Sequence, residues 1–579
     1  MADPLTADEG VFALSGQDID LLAALKLTAE EGAFALGGQD AALLVHYPLP
    51  AEEGIFSLAG QVLEFSMLGH GQFTLAGQDA NLARVAFPAS TGGRASRGRG
   101  LHVTPPIPLM LPTGSTIGRD GQVANARLVN AYAEDNGEDA KSRYTIYAAP
   151  GRTRWDSASH EGGNRGMIEL DRNNLIAVLG NTVASFDASG NSTSLASIVG
   201  STRVIMARNR RTTPQIGIVT DVGQYYVLEA GALAQNSDSD LPAPNSIAYL
   251  DGFFLFGIDD GRIFASDLED ANSIQGDAFD YAKSDSSRLR RVFVNAGHLY
   301  VFKEKGSEIW RADASLASEN FPFSPVQQDI DIGISAPHSI AGFSRGLGWI
   351  DDEGVVRFGR DGDAQRISSH TVERAIQDLN AAELDAVYGF SHTFQGHETY
   401  VLSSARWTWC YDTTNPKNPW YERSNREGGA WAPNTHAIFN GRDIVGNAAN
   451  GQLHYIDTEA YRDGGDHLLM EIWCAQSHRF PNRMTVDAVE IDAISGVGLN
   501  SGDAHNDAPQ LMVDYSDNGG KTFHGERSVS LGPIGDFRRA IRLNRWGQVN
   551  EKGRIWRIRA SAAVLRGVNQ VALSARPIG

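Results

Sequence analysis

The sequence predicts an all-β fold, and three observations carry that prediction. Short apolar runs alternate with Gly, Asp and Asn turns over most of the chain, a sustained 3.6-residue period is nearly absent, and a Phe-x-Leu unit recurs near the amino terminus. The 579 residues include 62 glycines and two cysteines, a length that suggests roughly four domains, or fewer if one is a large β structure. Hydrophobic content of 42% with 21% charged residues suits a folded protein and is too apolar for a disordered one.

The first element is the repeat. Gly10-Val-Phe12-Ala-Leu14-Ser-Gly16-Gln17-Asp18 returns as Gly32-Ala-Phe34-Ala-Leu36-Gly-Gly38-Gln39-Asp40, then as GIFSLAGQ from Gly54 and GQFTLAGQD from Gly71. In each unit an aromatic and a leucine stand two apart, and Gly-Gln-Asp follows as a turn signal. Ile19, Leu21, Leu25 and Leu27 then continue the period of two, so residues 1–90 are expected to be a module of four β-hairpins that stack or add to a neighbouring sheet. Phe12, Phe34, Phe56 and Phe73 mark the repeats and are candidates for a docking role. This stretch holds 12 Asp+Glu against Lys26 and Arg84, a net of −10, half of the whole chain's −20.

Residues 91–118 are rich in Gly, Ser and Pro and read as a linker, in which Arg94, Arg97 and Arg99 are solvated charge. From 119 to 470 the grammar is apolar run, Asp-Gly-type turn, apolar run. Asn174 to Leu179, Gly252 to Gly257 followed by Asp259-Asp260-Gly261, and Gly348 to Ile350 followed by Asp351-Asp352-Glu353-Gly354 are examples. Hairpins at such intervals over some 350 residues suggest a β-propeller, which limits exposed sheet edges. One helix is expected, from Ser369 as N-cap to Leu379, with Val372, Ala375 and Ile376 at helical spacing. Residues 471–579 form a β-rich region that completes or flanks the propeller. Its charge is reversed: from Lys521 to Arg566 there are 11 Lys+Arg against Glu526, Asp536 and Glu551. Arg557 and Arg559 alternate with Trp556 and Ile558, as on a strand with one buried and one charged face.

Motifs that would carry chemistry fail on their own spacing. Gly520-Lys521-Thr522 lacks the first glycine of a phosphate loop, since Tyr515 stands there. The segment Ser516 to Phe523 instead approximates the Asp-box turn of propeller proteins, with Asn518 for Asp and Phe523 for Trp. His397-Glu398 has no second histidine four residues on, and Asp329-Ile-Asp331 reads as a strand with an acidic face rather than a calcium site. Cys410 lies in an aromatic run, Trp407 to Tyr411, as a small core hydrophobe, and no Cys/His cluster suggests zinc. No catalytic residue, cofactor site or metal site is nominated. No apolar run approaches the ~20 residues a membrane-spanning helix needs, and the acidic start differs from a secretory signal, so the chain is expected to be soluble, unexported and not membrane-inserted.

A set of segments in order resembles a known family. They are Arg127-Leu-Val-Asn130-Ala-Tyr132-Ala-Glu134, Ala149-Pro-Gly151-Arg, Arg165-Gly-Met167, Tyr249 to Phe254, Ile263 to Asp267, Asp277 to Ala282, Leu299 to Phe302 with Ser307 to Trp310, Phe321 to Phe323 and Ile367 to Ala375. Together they resemble the packaged-DNA stabilisation protein, the tail hub or nozzle, of short-tailed bacteriophages, most densely over 245–380. The resemblance implies a virion tail component, assembled in the host cytoplasm, that forms a homo-oligomeric ring of six copies below the portal and its adaptor. It implies contacts with other tail parts such as a needle or fibres, a role in retaining the packaged genome, and a conduit for double-stranded DNA that passes without sequence-specific binding. It carries no catalytic residue, and the repeats of 1–90 have no counterpart in it. Acidic walls would keep a passing polyanion centred where Lys and Arg would hold it back, so Arg538, Arg539, Arg542, Arg545, Arg557 and Arg559 are assigned to subunit or adaptor contacts. The alternative is a propeller-type glycan-binding or glycoside-hydrolysing tail protein. That reading requires paired carboxylates at the propeller axis and aromatic platforms, for which Trp407, Trp409, Trp420 and Trp431 are the candidates.

Overall fold

The computed structural model describes residues 106–578, apart from 122, 158–159, 327–329 and 361, and within 1–105 the backbone of ten strands. The chain divides into two units, Met1–His102 and Val103–Gly579.

In the first unit the repeat forms strands, but they are not hairpins. Val11–Ser15, Ala33–Gly37, Ile55–Ala59 and Gln72–Ala76 pair in parallel, with Phe12 opposite Phe34, Phe34 opposite Phe56 and Phe56 opposite Phe73. Leu5–Ala7, Leu27–Ala29, Leu49–Ala51 and Met67–Gly69 make a second parallel sheet, and Asp18–Leu22 pairs in parallel with Asp40–Leu44. Val11–Ser15 and Asp18–Leu22, like Ala33–Gly37 and Asp40–Leu44, therefore lie in different sheets instead of pairing with each other. Near-identical units favour this arrangement because parallel stacking sets each residue beside its own equivalent one turn along, as in solenoids. A period of two in the sequence identifies a strand without identifying its partner.

The second unit contains antiparallel four-stranded sheets arranged as propeller blades. Six blades are built from consecutive strands, spanning 164–197, 205–235, 246–281, 289–325, 341–366 and 388–423. The seventh takes three strands from 433–457 and its fourth from the other end of the sequence: Gly151–Arg154 pairs with Leu453–Asp457. This strand closes the ring and covers what would be a free edge. Several blades join their first two strands by two-residue turns in the left-handed region, such as Asp251-Gly252 with φ of 49° and 96° and Asn440-Gly441 with φ of 50° and 71°. Glycine at the second position supplies that conformation without steric cost, and such turns match the twist of the strands they connect.

The hydrophobic cores lie between successive blades. Ile176 faces Ile216, Val219 and Tyr225 pack with Phe256 and Phe264, and Leu255 packs with Trp310. Phe302 meets Trp349, Phe343 stacks on Tyr400 at 5.0 Å, and Phe186 joins Phe439 across the closure. Each blade thus buries both faces of its sheet. The helix expected after Ser369 is present as His370–Gln377, with the Ser369 side chain accepting from the Val372 amide and with Val372 and Ile376 buried. A second short helix, Ala381–Asp385, carries a capping box between Asn380 and Glu383.

The remaining strands form a β-sandwich. One sheet runs Ala131–Asp135, Tyr144–Ala148, Gly567–Ile578, Arg483–Ala493, Ile541–Val549, and the other Asn125–Val129, Met470–Trp473, Ile555–Ala560, Gln510–Ser516, His524–Ser530. Val489, Leu573, Val513, Trp546, Trp556 and Ile558 fill the space between them. Two boundaries expected from sequence therefore move. The strands Asn125–Val129, Ala131–Asp135 and Tyr144–Ala148 pair within the sandwich sheets, and ordered pairing reaches into the expected linker, because Ile107–Leu109 pairs with Gly567–Ile578 and Thr116–Ile117 with Asn125–Val129. The sandwich is continuous with the sixth blade, since Asn125–Val129 also runs parallel to Trp420–Arg423, with Val129 opposite Glu422.

Candidate functional site

Strand alternation places Trp556 and Ile558 in the sandwich core, both fully buried, and turns Arg557 and Arg559 to the opposite face. Both arginines find partners within the chain. Arg557 donates to both Asp514 oxygens at 2.9 and 2.6 Å, lies 3.6 Å from Glu471 and covers the Phe523 ring at 3.8 Å. Arg559 donates to Asp514 at 3.0 Å and to Glu526. Burial acts against the charged form of Arg557, but the Asp514 hydrogen bonds and the neighbouring carboxylates outweigh it and raise its pKa. The other candidate arginines are exposed on the strand Ile541–Val549 and the loop before it. Arg539 pairs with Asp536 at 3.0 Å, Arg542 pairs with Glu490, and Arg538 and Arg545 stand beside them in solvent. In the same loop Ile534 and Phe537 are 68% and 72% exposed, a hydrophobic rim to the basic patch. The repeat residues Phe12, Phe34, Phe56 and Phe73 lie in register on the parallel sheet, and their side chains fall outside the described residues.

The Asp-box-like segment is a turn between Gln510–Ser516 and His524–Ser530. Ser516 Oγ accepts from the Gly520 amide at 2.9 Å, and Asn518 Oδ1 accepts from the Thr522 amide at 3.0 Å. Asp517 holds the buried Arg554 through two hydrogen bonds of 2.7 and 2.8 Å, and Arg554 is sandwiched between the Tyr515 and Trp556 rings. The segment is a folding device of the sandwich, not of the propeller.

Charged groups also tie the modules together. Arg152, on the closing strand, donates to Asp463 at 2.5 Å, and Asp463 also accepts from Trp431 Nε1 at 3.1 Å. His397, on the sixth blade, lies between two carboxylates: Nδ1 is 2.7 Å from Asp412, and Nε2 is 2.7 Å from Glu134 of the sandwich. Burial opposes protonation of this imidazole, yet the two carboxylates raise its pKa. This is a domain clamp, consistent with the missing second zinc ligand in the sequence.

Cys410 and Cys474 are free and buried, and burial pushes both thiols up to about 12, which leaves them inert. Trp409, Trp420 and Trp431 are 3%, 1% and 2% exposed and so cannot serve as sugar platforms, and the half-buried Trp407 packs on the helix His370–Gln377, donating its Nε1 to the Ala375 carbonyl at 3.0 Å. Among the described residues no group of three or more His, Cys, Asp or Glu is arranged to hold a metal ion, and no helix is long and apolar enough to cross a membrane. Asp329 lies outside the described residues, and its neighbour Ile330 makes only an isolated bridge to Ser307 rather than a regular strand.

Sequence reasoning missed one feature, a cavity of about 740 Å³ at one end of the propeller. Its lining includes Arg203, Asn245, Arg288, His338 and Asp385, which stand just before or at the start of the innermost strands of blades two to six. Five of the seven blades thus meet here, and the cavity is the mouth of the propeller axis. Its carboxylates are engaged by arginines: Asp221 with Arg165 at 3.1 Å, Asp259 with Arg288 at 2.5 Å, and Asp385 with Arg290. Paired carboxylates free to act on a sugar, which the glycosidase reading requires, are not found among these residues.

Seven interlocked blades, a fused sandwich and charged groups engaged with one another define a structural β scaffold. Residues 107–461 match the family described as Bacteriophage P22 Gp10, beta-propeller, and residues 475–576 match Bacteriophage P22 Gp10, beta-sandwich. The chain belongs to this family of phage packaged-DNA stabilisation proteins. No curated protein matches it. Among solved structures it is similar to a streptogramin B lyase at 10% identity, over 52% of this chain and 96% of that one, with a TM-score of 0.35. It is similar also to the WD40 β-propeller domain of Doa1 at 13% identity, over 53% and 96%, with a TM-score of 0.34. YCF48 bound to D1 peptide stands at 12% identity, over 53% and 96%, with a TM-score of 0.32. Likeness at this level carries no argument about function.

Proposed function

We propose that this protein is a segment of the phage tail conduit: a non-enzymatic ring, of six copies, that sits below the portal and adaptor, guides the genome outward and helps retain it before ejection. The observation that carries this reading is the family match over both the propeller and the sandwich, which together take up most of the chain. The charge distribution supports it. At −20 per copy the protein repels DNA phosphates, whereas affinity for a duplex would come from clustered Lys and Arg that release condensed counterions. The exposed arginines Arg538, Arg539, Arg542 and Arg545, rimmed by Ile534 and Phe537, are assigned to subunit or adaptor contacts, because apolar side chains and arginine together are the composition of an interface. Arg557 and Arg559 hold together the opposite sandwich sheet through Asp514, Glu471 and Glu526. The repeats of 1–90 are assigned to docking of a further tail component.

The test is a virion assembled without this protein. Such particles are expected to package DNA and then lose it, and complementation with the full chain is expected to restore retention. Particles that keep their genome and infect normally would remove the basis of the reading.

A further inference from the structure

The axial cavity carries an inference of its own. Arg203 and His338 line it, and Arg291 lies near enough for its charge to act on both. Arg203 lays its guanidinium 4.0 Å from the centre of the Tyr388 ring and reaches no carboxylate among the described residues. Arg291 has its Nε and Nη1 atoms shut away from solvent with no hydrogen-bond partner. The nearby acids do not compensate for them, since Asp221, Asp259 and Asp385 are already paired with Arg165, Arg288 and Arg290. Buried donors are ordinarily satisfied, and buried charges are ordinarily paired.

The electrostatics of the floor agree with the geometry. Burial draws the Arg203 guanidinium down to about 10, and burial together with the nearby Arg203 does the same to Arg291. Burial first, then Arg291, Arg203 and Arg290, hold His338 well below its usual range, so it stays neutral at pH 7 and can donate one hydrogen bond. Both arginines remain charged at neutral pH as neighbours, and among the described residues no carboxylate pairs with either. A guanidinium offers a planar fork of donors that matches the oxygens of a carboxylate or a phosphate.

We infer that the mouth of the propeller axis is a binding site for one small oxyanion, held by Arg203 with His338 as a further donor and drawn in by the unpaired charge of the nearby Arg291. Phosphate and carboxylate share the chemistry required. The cavity opens on the face where the innermost strands begin, so the anion enters without disturbing the blades. The inference does not rest on the proposed role in the tail: it concerns the floor of a single propeller, and it stands or fails on the isolated full-length chain.

The test uses that chain in a buffer free of multivalent anions. Inorganic phosphate and glutarate are titrated separately by calorimetry, with chloride as the control. One saturable site per chain is expected for at least one of them. Saturation by phosphate alone assigns a tetrahedral anion, and saturation by glutarate assigns a carboxylate. Arg203→Gln and Arg291→Gln are each expected to weaken that binding at least tenfold, whereas Arg172→Gln, in the exposed turn between Asn164–Asp171 and Asn174–Leu179 of the first blade, leaves it unchanged. Should the cavity variants fold poorly, a structure of the unmodified protein with selenate, an electron-rich phosphate analogue, is expected to show density beside Arg203. Absence of binding by both anions, binding that persists in folded Arg203→Gln and Arg291→Gln proteins, or selenate density only elsewhere would overturn the assignment.

Discussion

Replacing His397 by glutamine gives a sharp test of how the propeller is fastened to the sandwich. The imidazole is 5% exposed and lies between Asp412, 2% exposed, and Glu134, at 2.7 Å from each. Its pKa is raised relative to the ordinary histidine value, burial being outweighed by the two carboxylates. The clamp therefore contributes in full below the unfolded histidine pKa of about 6.5 and fades as pH rises through the higher folded value. Removing one member of a buried ion pair costs about 3–5 kcal/mol, because the remaining charge loses its counter-ion. Here the lower end applies, since Asp412 keeps hydrogen bonds from the Thr414 amide and hydroxyl at 2.9 and 2.7 Å, and Glu134 reaches solvent. About 3 kcal/mol is thus expected at pH 6, with a smaller loss at pH 9, further along the rise through the folded value over which the imidazole gives up its proton. Urea unfolding followed by tryptophan fluorescence at the two pH values reads this difference without salt screening. An equal loss at pH 6 and pH 9 would refute the view that a protonated His397 joins the two modules.

Three further outcomes follow from the same structure. Ser369→Ala removes the side chain that caps His370–Gln377 and is expected to lower stability by about 1 kcal/mol, read from the urea midpoint, with Ser369→Asp restoring it. Asp463→Asn deprives the 4%-exposed Arg152 of its charged partner on the closing strand; a loss of about 3 kcal/mol is expected, with Trp431 fluorescence reporting the first transition. Reversing charge at Arg538, Arg539 and Arg542 together is expected to leave the monomer's melting temperature within a few degrees of wild type but to reduce ring or adaptor assembly, measured by analytical ultracentrifugation.

What the sequence makes legible is local. The capped helix after Ser369 and the Ser516 to Phe523 turn are written in residues within a few positions of one another, as are the Asp-Gly hairpins of the blades, and the structure contains each of them. What it hides depends on distant partners. Gly151–Arg154 closes a blade whose other strands lie some 300 residues away, and Ile107–Leu109 pairs with the last strand of the chain. No period of two announces either pairing. The repeats of 1–90 illustrate the same limit: alternation marks the strands, but parallel rather than hairpin pairing is decided by how equivalent units stack. The axial arginines are harder still to foresee. Arg203 precedes one innermost strand and Arg291 lies in another, and nothing in Ser201-Thr-Arg203-Val or Arg290-Arg291-Val-Phe distinguishes them from surface arginines until the ring brings blades two and four together.

The central claim is that this scaffold works as a ring around DNA through shape and like-charge repulsion. Electron cryo-microscopy of the full-length protein, alone and with its adaptor, measures this most directly. The account expects a closed ring of six copies with an open, acidic bore wide enough for a double helix and with Arg538, Arg539, Arg542 and Arg545 at contacts between proteins. A solitary particle in both preparations, or a bore lined by those arginines, would contradict it.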